Sequence, residues 1–367
     1  MPAVSRLPAI YETTGHLFKL IPAERRFCTH AALPRDMSPL LNTSSPISTG
    51  HLPAAERVRN LVAEAYERLK SIDEGKNADY IPALAKVPTA LFGVSVVGTS
   101  GVAFMAGDAN YEFSIQSVSK PFVFALICQV IGEDKAREKL GVNSTGLPFN
   151  SVVGIERSSD GTTNPMVNAG AIAAASLAPG ATAVEKWQFI QDGLSQFAGR
   201  SLTLNREVYE SEAAANQRNQ GIANLLQGYN RIYFDPLEAT DIYTKQCSLN
   251  VTAKDIAVMA ATLANGGVNP LTKERIIEAV HCQRVLAVMI TAGLYEISGD
   301  WLYEIGLPGK SGVSGGMVTV APGKGGLGTF APPLDSAGNS VKGRLAAKFL
   351  SEQLGLNLFA SRPSESG

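Results

Sequence analysis

The sequence predicts an α/β chain of the α+β kind: one antiparallel sheet built from both ends of the chain and flanked by helices, with a helical domain inserted between its halves. Three observations lead there. A hairpin pattern precedes residue 113, helical spacing dominates from Lys120 to Gly293, and strand-like runs return after Gly299. The alternation of strand and helix that a doubly wound parallel sheet requires is absent.

Residues 1–50 mix short apolar pieces with prolines and sustain no period, which predicts a poorly ordered N-terminal extension. The folded domain is expected over 51–367, its sheet part at about 51–116 and 300–360 and its helical part at about 117–299. Within 52–72, Val58, Leu61, Val62, Ala65 and Leu69 recur at helical spacing, so an amphipathic helix opens the domain. Residues 77–85 read as a loop. Runs at 90–98 and 102–105 flank Thr99-Ser100-Gly101, a hairpin signal. Helices are expected at 120–140, 169–178, 182–199, 205–229, 252–264 and 272–293. Thr252 and Asp255 make a capping pair, and Asn265-Gly266-Gly267 stops that helix. Strands at 301–305, 309–321 and 327–330 then precede a last amphipathic helix at about 339–354.

The 367 residues are 45% apolar and 18% charged, the balance of a folded chain able to bury a sizeable core. A formal net charge of -1 and the lack of a basic stripe argue against a nucleic-acid partner. No apolar run approaches the roughly 18 residues of a spanning helix, so no membrane partner is expected, and the first thirty residues lack a secretory core. Cys28, Cys128, Cys247 and Cys282 stand apart without CxxC spacing. Neither a zinc site nor a disulfide framework is therefore expected, and a reducing, cytoplasmic location is. The four histidines, at 16, 30, 51 and 281, neighbour no serine, cysteine or acidic motif, so the chemistry calls for a base other than imidazole and no metal ion is expected.

The run Phe-Ser-Ile-Gln-Ser-Val-Ser-Lys-Pro-Phe at 113–122 supplies a candidate. Ser117 and Lys120 are three apart, so on a helical turn they share a face and the amine reaches the hydroxyl. Pro121 is tolerated only in a first turn, which puts the pair at the positive end of a helix, where a depressed lysine pKa and a developing oxyanion are both favoured. Ser119 points elsewhere and Ser114 precedes the turn. The spacing alone fits a catalytic pair or a capped helix with a solvated lysine. Glu212 and Asn219, seven apart on one expected helix, share a face that either holds an ammonium group or is merely solvated. Asn168, at a helix start, is either a cap or a ligand. The glycine-rich run from Lys310 to Met317 is either a flexible turn or phosphate nest, or a strand edge whose backbone N–H faces an oxyanion; its Lys-Ser-Gly is similar to the KTG element of penicillin-recognising enzymes. Tyr80, Tyr243 and Tyr295 are isolated aromatics that packing alone explains.

Together, several long runs strongly resemble the serine-dependent glutaminases of the β-lactamase-like superfamily, in their bacterial type. They are ADYIPALA, FSIQSVSKPF, NPMVNAGAI, QCSLNVTAKDIAVMAATLANGG, GLYEISGDW with GLPGKSGVSGG, and PPLDSAGNSVKG, spread over nearly all of 52–360. The resemblance implies a β-lactamase/transpeptidase-like fold and hydrolysis of L-glutamine to L-glutamate and ammonia, with no metal and no cofactor. It implies Ser117 as nucleophile and Lys120 as base, the backbone N–H groups of Ser117 and Val313 as oxyanion donors, and Tyr295 and Tyr80 as proton relay to the leaving nitrogen. The substrate contacts it implies are Asn168, Glu212, Asn219 and Tyr243, with Ser117, Tyr295 and Val313. A homodimer or homotetramer is expected on the same ground. Two other readings share parts of the pattern: a penicillin-interacting serine hydrolase, and a non-catalytic amino-acid sensor that kept the pocket.

Overall fold

The computed structural model describes residues 50–360, so the expectation for the N-terminal extension lies outside the described residues except at Gly50. Strands β1 (Gly93–Gly98), β2 (Ala103–Gly107), β5 (Gly309–Ser311), β6 (Gly316–Ala321) and β7 (Gly325–Phe330) form one sheet in the order β2-β1-β7-β6-β5, every neighbouring pair antiparallel. The two ends of the chain meet between β1 and β7, where Gly93 faces Phe330 and Gly98 faces Gly325. This is the topology the sequence predicts. Two short strands, β3 (Phe113–Ser114) and β4 (Asn250–Val251), pair separately.

One face of the sheet is covered by α1 (Ala55–Leu69) and α14 (Val341–Leu354). The stripe Val58, Leu61, Val62, Ala65 and Leu69 is the buried side of α1, packed with Val94, Val96 and Leu327 of the sheet and Leu350 of α14. The other face carries α11 (Ala253–Ala264), whose Thr252–Asp255 capping box is formed as the sequence predicts. This helix lies so close to β7 that a Cβ at Gly328 would meet the Ala253 carbonyl oxygen at 2.1 Å, and one at Gly326 would meet that of Ala257 at 2.4 Å. Only glycine admits that approach.

Beyond α11 lies the helical region: α3 (Lys120–Ile131), α4 (Glu133–Leu140), the single-turn α5 (Val153–Glu156), α6 (Asn168–Ser176), α7 (Ala183–Ala198), α8 (Arg206–Ala213), α9 (Gln217–Gly228), α10 (Pro236–Cys247) and α12 (Ala279–Ala292). Every residue of α3 from Lys120 to Cys128 is buried, which makes it the central helix, apolar all round rather than on one stripe. Its Phe122 packs on Phe197 of α7 with ring centroids 5.2 Å apart. Truncating such a side chain costs about 3–5 kcal/mol.

Several element expectations are corrected. The stretch 301–305 is not a strand but the end of α13 (Ser298–Ile305): Trp301 and Ile305, four apart, are buried while Tyr303 is exposed, and Gly306 caps the helix in the left-handed region. The expected strand 309–321 is β5 and β6, reversed through Gly312 and Gly315. Residues 120–140 break at Gly132, where φ is 82°, and residues 205–229 break between α8 and α9, where Asn216 turns inward to donate to Thr244 Oγ1 at 2.7 Å. Within 272–293 the helix starts only at Ala279, because Asn269 Oδ1 holds the N–H groups of Leu271 and Thr272 in a turn. Residues 77–85 include a one-turn helix, α2 (Pro82–Ala85). The sequence reading omitted α10, although Asp235 as N-cap and Pro236 in the first turn announce it.

Candidate active site

Ser117 lies in a 3-10 turn, Gln116–Ser119, that runs straight into α3 at Lys120, with Pro121 in the first helical turn. The pairing of β3 with β4 delivers the chain to this turn, and the Ile115 N–H donates to the Leu249 carbonyl at 2.8 Å. Gln116 takes a φ of 50°, a strained left-handed conformation for a residue of its size, directly before the candidate nucleophile. Lys120 is 1% exposed, and its Nζ sits 2.8 Å from Ser117 Oγ and 2.8 Å from Asn168 Oδ1.

Two helices complete this wall. α6 presents Asn168 as its first residue; Val167 occupies the cap position, so the asparagine side chain does not cap the helix. Its Oδ1 also accepts from Tyr243 Oη at 3.1 Å, and its Nδ2 donates to Asn219 Oδ1 at 3.0 Å. Tyr243 lies within α10, and Lys120 Nζ stands 5.6 Å above its ring centroid. Glu212 and Asn219 belong to consecutive helices rather than one, so their seven-residue spacing is not what brings them to the site. Gln116 Nε2 donates to Glu212 Oε2 at 3.2 Å.

Burial sets the charges. It pulls the Lys120 ammonium down to about 8, and it pushes the Glu212 carboxyl up to about 7 against the opposing pull of the Gln116 hydrogen bond and the lysine charge. The neighbouring Cys247 thiol is pushed up to about 12, so it is neutral beside Lys120 and does not hold the lysine's proton. Burial raises the Tyr243 phenol well above its ordinary value.

The opposite wall is the β5–β6 turn. A Cβ at Gly312 would lie 3.0 Å from the Ile115 carbonyl oxygen and 3.3 Å from Gln116 Cβ, so this turn rests on the serine turn and carries Val313 beside it. Among the described residues, neither the Ser117 nor the Val313 N–H has a backbone acceptor. Tyr295, at φ 58°, donates to the Ser311 carbonyl at 3.0 Å, and its ring packs on Phe149 at 4.7 Å. Burial, then the neighbouring Tyr80, drives its phenol far up, while the nearby Ser117 hydroxyl pulls the other way. Lys310 is fully buried, 2.8 Å from the Ser311 carbonyl and 4.2 Å above the Tyr295 ring. Burial, then the like charge of Lys120, holds it well below the usual lysine range. The Val313 side chain joins Ala78, Ile81, Leu84, Val208 and Leu334 in a small apolar cluster; Tyr80, on the same segment, is 55% exposed at the rim.

Ser117, Lys120, Asn168, Asn219 and Tyr243 thus form one hydrogen-bonded chain, Glu212 joins the serine turn through Gln116, and Tyr295 and Val313 come from the opposite wall. Tyr80 makes no side-chain hydrogen bond among the described residues. Sequence reasoning missed Gln116 and the burial of Lys310. Nothing in one sequence marks a positive φ at glutamine, and the Lys-Ser-Gly run draws attention to Lys310 as a motif without indicating that its side chain is buried.

An antiparallel sheet with helices on both faces is the architecture of the β-lactamase-like fold, and a buried serine touching a buried amine at the head of an apolar helix is an arrangement suited to serine hydrolase chemistry. A family model described as Glutaminase matches residues 75–359. Glutaminase 2 of Yersinia pestis is 65% identical over 317 residues, covering 86% of this chain and 93% of that protein. Among solved structures, the probable glutaminase ybaS superposes with a TM-score of 0.83 at 43% identity, covering 84% of this chain and all of that one. Mglu in its glutamate form superposes with a TM-score of 0.79 at 37% identity, covering 83% of this chain and 70% of that one. The chain belongs to the glutaminase family. It is a hydrolase that converts L-glutamine and water to L-glutamate and ammonia.

Proposed function

We propose that this hydrolysis runs through a glutamyl ester on Ser117 with Lys120 as the base. The observation that carries the proposal is the 2.8 Å contact between Lys120 Nζ and Ser117 Oγ in a site dry enough to bring the amine to about 8. A neutral amine keeps two hydrogens and one lone pair. Asn168 Oδ1 can only accept, so it takes a hydrogen and leaves the lone pair for the serine proton. Ser117 Oγ then bonds to the side-chain amide carbon of glutamine, and the oxyanion forms against the N–H groups of Ser117 and Val313. Collapse expels ammonia, its proton returning from Lys120 with Tyr295 and Tyr80 as relay, and water hydrolyses the ester by the same base.

Glu212 answers the α-ammonium of the substrate, while the amide donors of Asn168 and Asn219 suit its α-carboxylate, as does the Tyr243 hydroxyl once it exchanges its bond to Asn168 Oδ1 for one to the substrate. A ligand lacking the amine leaves a buried carboxylate unpaired at a cost of several kcal/mol, which supports selectivity for an amino acid. A cytoplasmic location and a homodimeric or homotetrameric assembly belong to the same proposal and are checked by fractionation and light scattering. The decisive experiment traps the intermediate: acid quenching during glutamine turnover should leave a glutamyl group on the peptide containing Ser117. A glutamyl group on another residue, or turnover by Ser117→Ala, would overturn the assignment.

A further inference from the structure

The oxyanion donors assigned above belong to two peptide groups, Gln116–Ser117 and Gly312–Val313. In a trans peptide the C=O and N–H point in opposite directions, so whatever grips the carbonyl also aims the N–H. Both carbonyls are gripped. The Gly312 carbonyl accepts the Gly315 N–H at 2.9 Å, an anchor made inside the β5–β6 turn by main chain alone. The Gln116 carbonyl accepts the Ser119 hydroxyl at 2.7 Å, and Ser119 Oγ in turn accepts Gln246 Nε2 of α10 at 2.9 Å. Ser119 and Gln246 are fully buried and Gln116 is 3% exposed.

The direction of these bonds follows from the groups. A carbonyl oxygen can only accept, so the single hydroxyl hydrogen of Ser119 is committed to Gln116, and Gln246 must turn its NH2 toward Ser119. The other end of that amide, Gln246 Oε1, is accordingly buried without a partner. A buried amide left half-satisfied is retained at a cost, and here it holds the hydroxyl beneath the one strained residue of the nucleophile turn, Gln116 at φ 50°. A peptide next to a left-handed, non-glycine residue can relax by flipping, which would turn the Ser117 N–H away from the site.

We infer that Ser119, braced by Gln246, is a positioning residue that holds the Gln116–Ser117 peptide so that the Ser117 N–H faces the oxyanion. The inference rests on the proposed role of Ser117. One oxyanion donor is thus aimed by main chain alone, whereas the other peptide, besides its place in the 3-10 turn, is gripped by a side chain, and only that side-chain grip can be removed by substitution.

The test compares Ser119→Ala, Ser119→Thr, Gln246→Leu and Ser117→Ala for kcat, KM, pH profile and melting temperature with L-glutamine. Ser119→Ala should lower kcat by about tenfold to a hundredfold, at or below the roughly hundredfold to thousandfold cost of losing an oxyanion donor outright, because the N–H is misaimed rather than removed. KM should stay within about twofold, and the midpoint of the acid limb should be unmoved, because Lys120 keeps its surroundings. Ser119→Thr, which keeps the hydroxyl, should recover most of the rate, and Gln246→Leu should lose a smaller factor in the same direction. A Ser119→Ala enzyme with kcat within twofold of wild type overturns the inference. So does a loss shared with KM, with a shifted pH midpoint, or with Ser119→Thr equally impaired, since each marks a general disturbance of the turn. Turnover by Ser117→Ala would instead remove the nucleophile assignment itself, a failure distinct from unchanged kcat in Ser119→Ala.

Discussion

The two sides of the site are built on different terms. On the side of α3, α6, α9 and α10, Lys120, Asn168, Asn219 and Tyr243 are linked in one chain of hydrogen bonds, and Lys120, Asn168 and Tyr243 are buried. On the rim side, the segment around α2 is held from below by Ile81 and Leu84 in their apolar cluster and by Asn77 Nδ2 on the Leu84 and Val87 carbonyls, while Tyr80 is left 55% exposed. The wired side can fix protonation states, because burial gives each charge a large cost and each partner a large effect. The rim side can only offer a hydroxyl to something that arrives. Chemistry should therefore be concentrated on the first side and accommodation on the second.

The largest expected effects lie on the wired side. Ser117→Ala and Lys120→Ala should each lower kcat by at least about a thousandfold, with melting temperature little changed, and the double variant should lose no more than the worse single one because the two act as a unit. Ammonia release in single-turnover assays checks this. Additive losses would mean that the two side chains do not serve one step.

Glu212 tests the same wall through binding. Glu212→Gln keeps the shape and removes the charge, so KM should increase about a hundredfold while kcat changes less. Stability should move the opposite way. The folded-state pKa of Glu212 is raised from 4.5 to about 7, so the stability it contributes is fully present below the unfolded value and is lost as pH climbs through 7. The amide variant should accordingly melt a few degrees above wild type at pH 8 and level with it near pH 5. An unchanged KM would sink the ammonium-binding role.

The wired wall was legible in the sequence as a list of residues but not as a wiring diagram. Helical periodicity and the Pro121 position place the Ser117–Lys120 pair correctly, since both depend only on local geometry. Asn168 read equally well as a cap, because capping and ligand roles use the same side chain at the same helix end; its bond to Lys120 spans 48 positions and no local pattern encodes it. Glu212 and Asn219 were grouped for a reason the structure removes, a shared helix face, although the chain breaks between them. That one antiparallel sheet is assembled from both ends of the chain was legible, because strand-like runs recur there; the strand order within it was not. The helical nature of 301–305 was not: a five-residue apolar run carries no period until Trp301 and Ile305 are known to face the same way.

The pH dependence joins the two carboxyl and amine shifts. Lys120 works as a base only when neutral, and with its pKa lowered to about 8 the neutral fraction falls tenfold for each unit below that value. The kcat/KM should therefore climb with a slope of about one between pH 7 and 8 and level off above that. Below about 7 the free enzyme also protonates Glu212, which costs the ammonium its partner, so kcat/KM should fall more steeply than kcat there. A flat kcat/KM between pH 6 and 9 would remove Lys120 from the base role.

The smallest effect expected is also the sharpest test of the difference between the walls. Tyr295 and Tyr80 are both assigned to the proton relay, yet Tyr295 is 8% exposed with its hydroxyl bonded to the Ser311 carbonyl, and Tyr80 is 55% exposed. A phenol fixed next to the serine can move a proton without reorganising, whereas an exposed one competes with water for the same task. Tyr295→Phe should then lower kcat about tenfold or more, and Tyr80→Phe less than about fivefold. If the rim closes over bound glutamine, the Tyr80 loss should appear mainly in KM, because the ordering of the segment would be part of binding. Measuring both variants with L-glutamine decides it: equal losses in kcat would mean that Tyr80 reaches the leaving nitrogen as directly as Tyr295, and that the rim is part of the chemical wall.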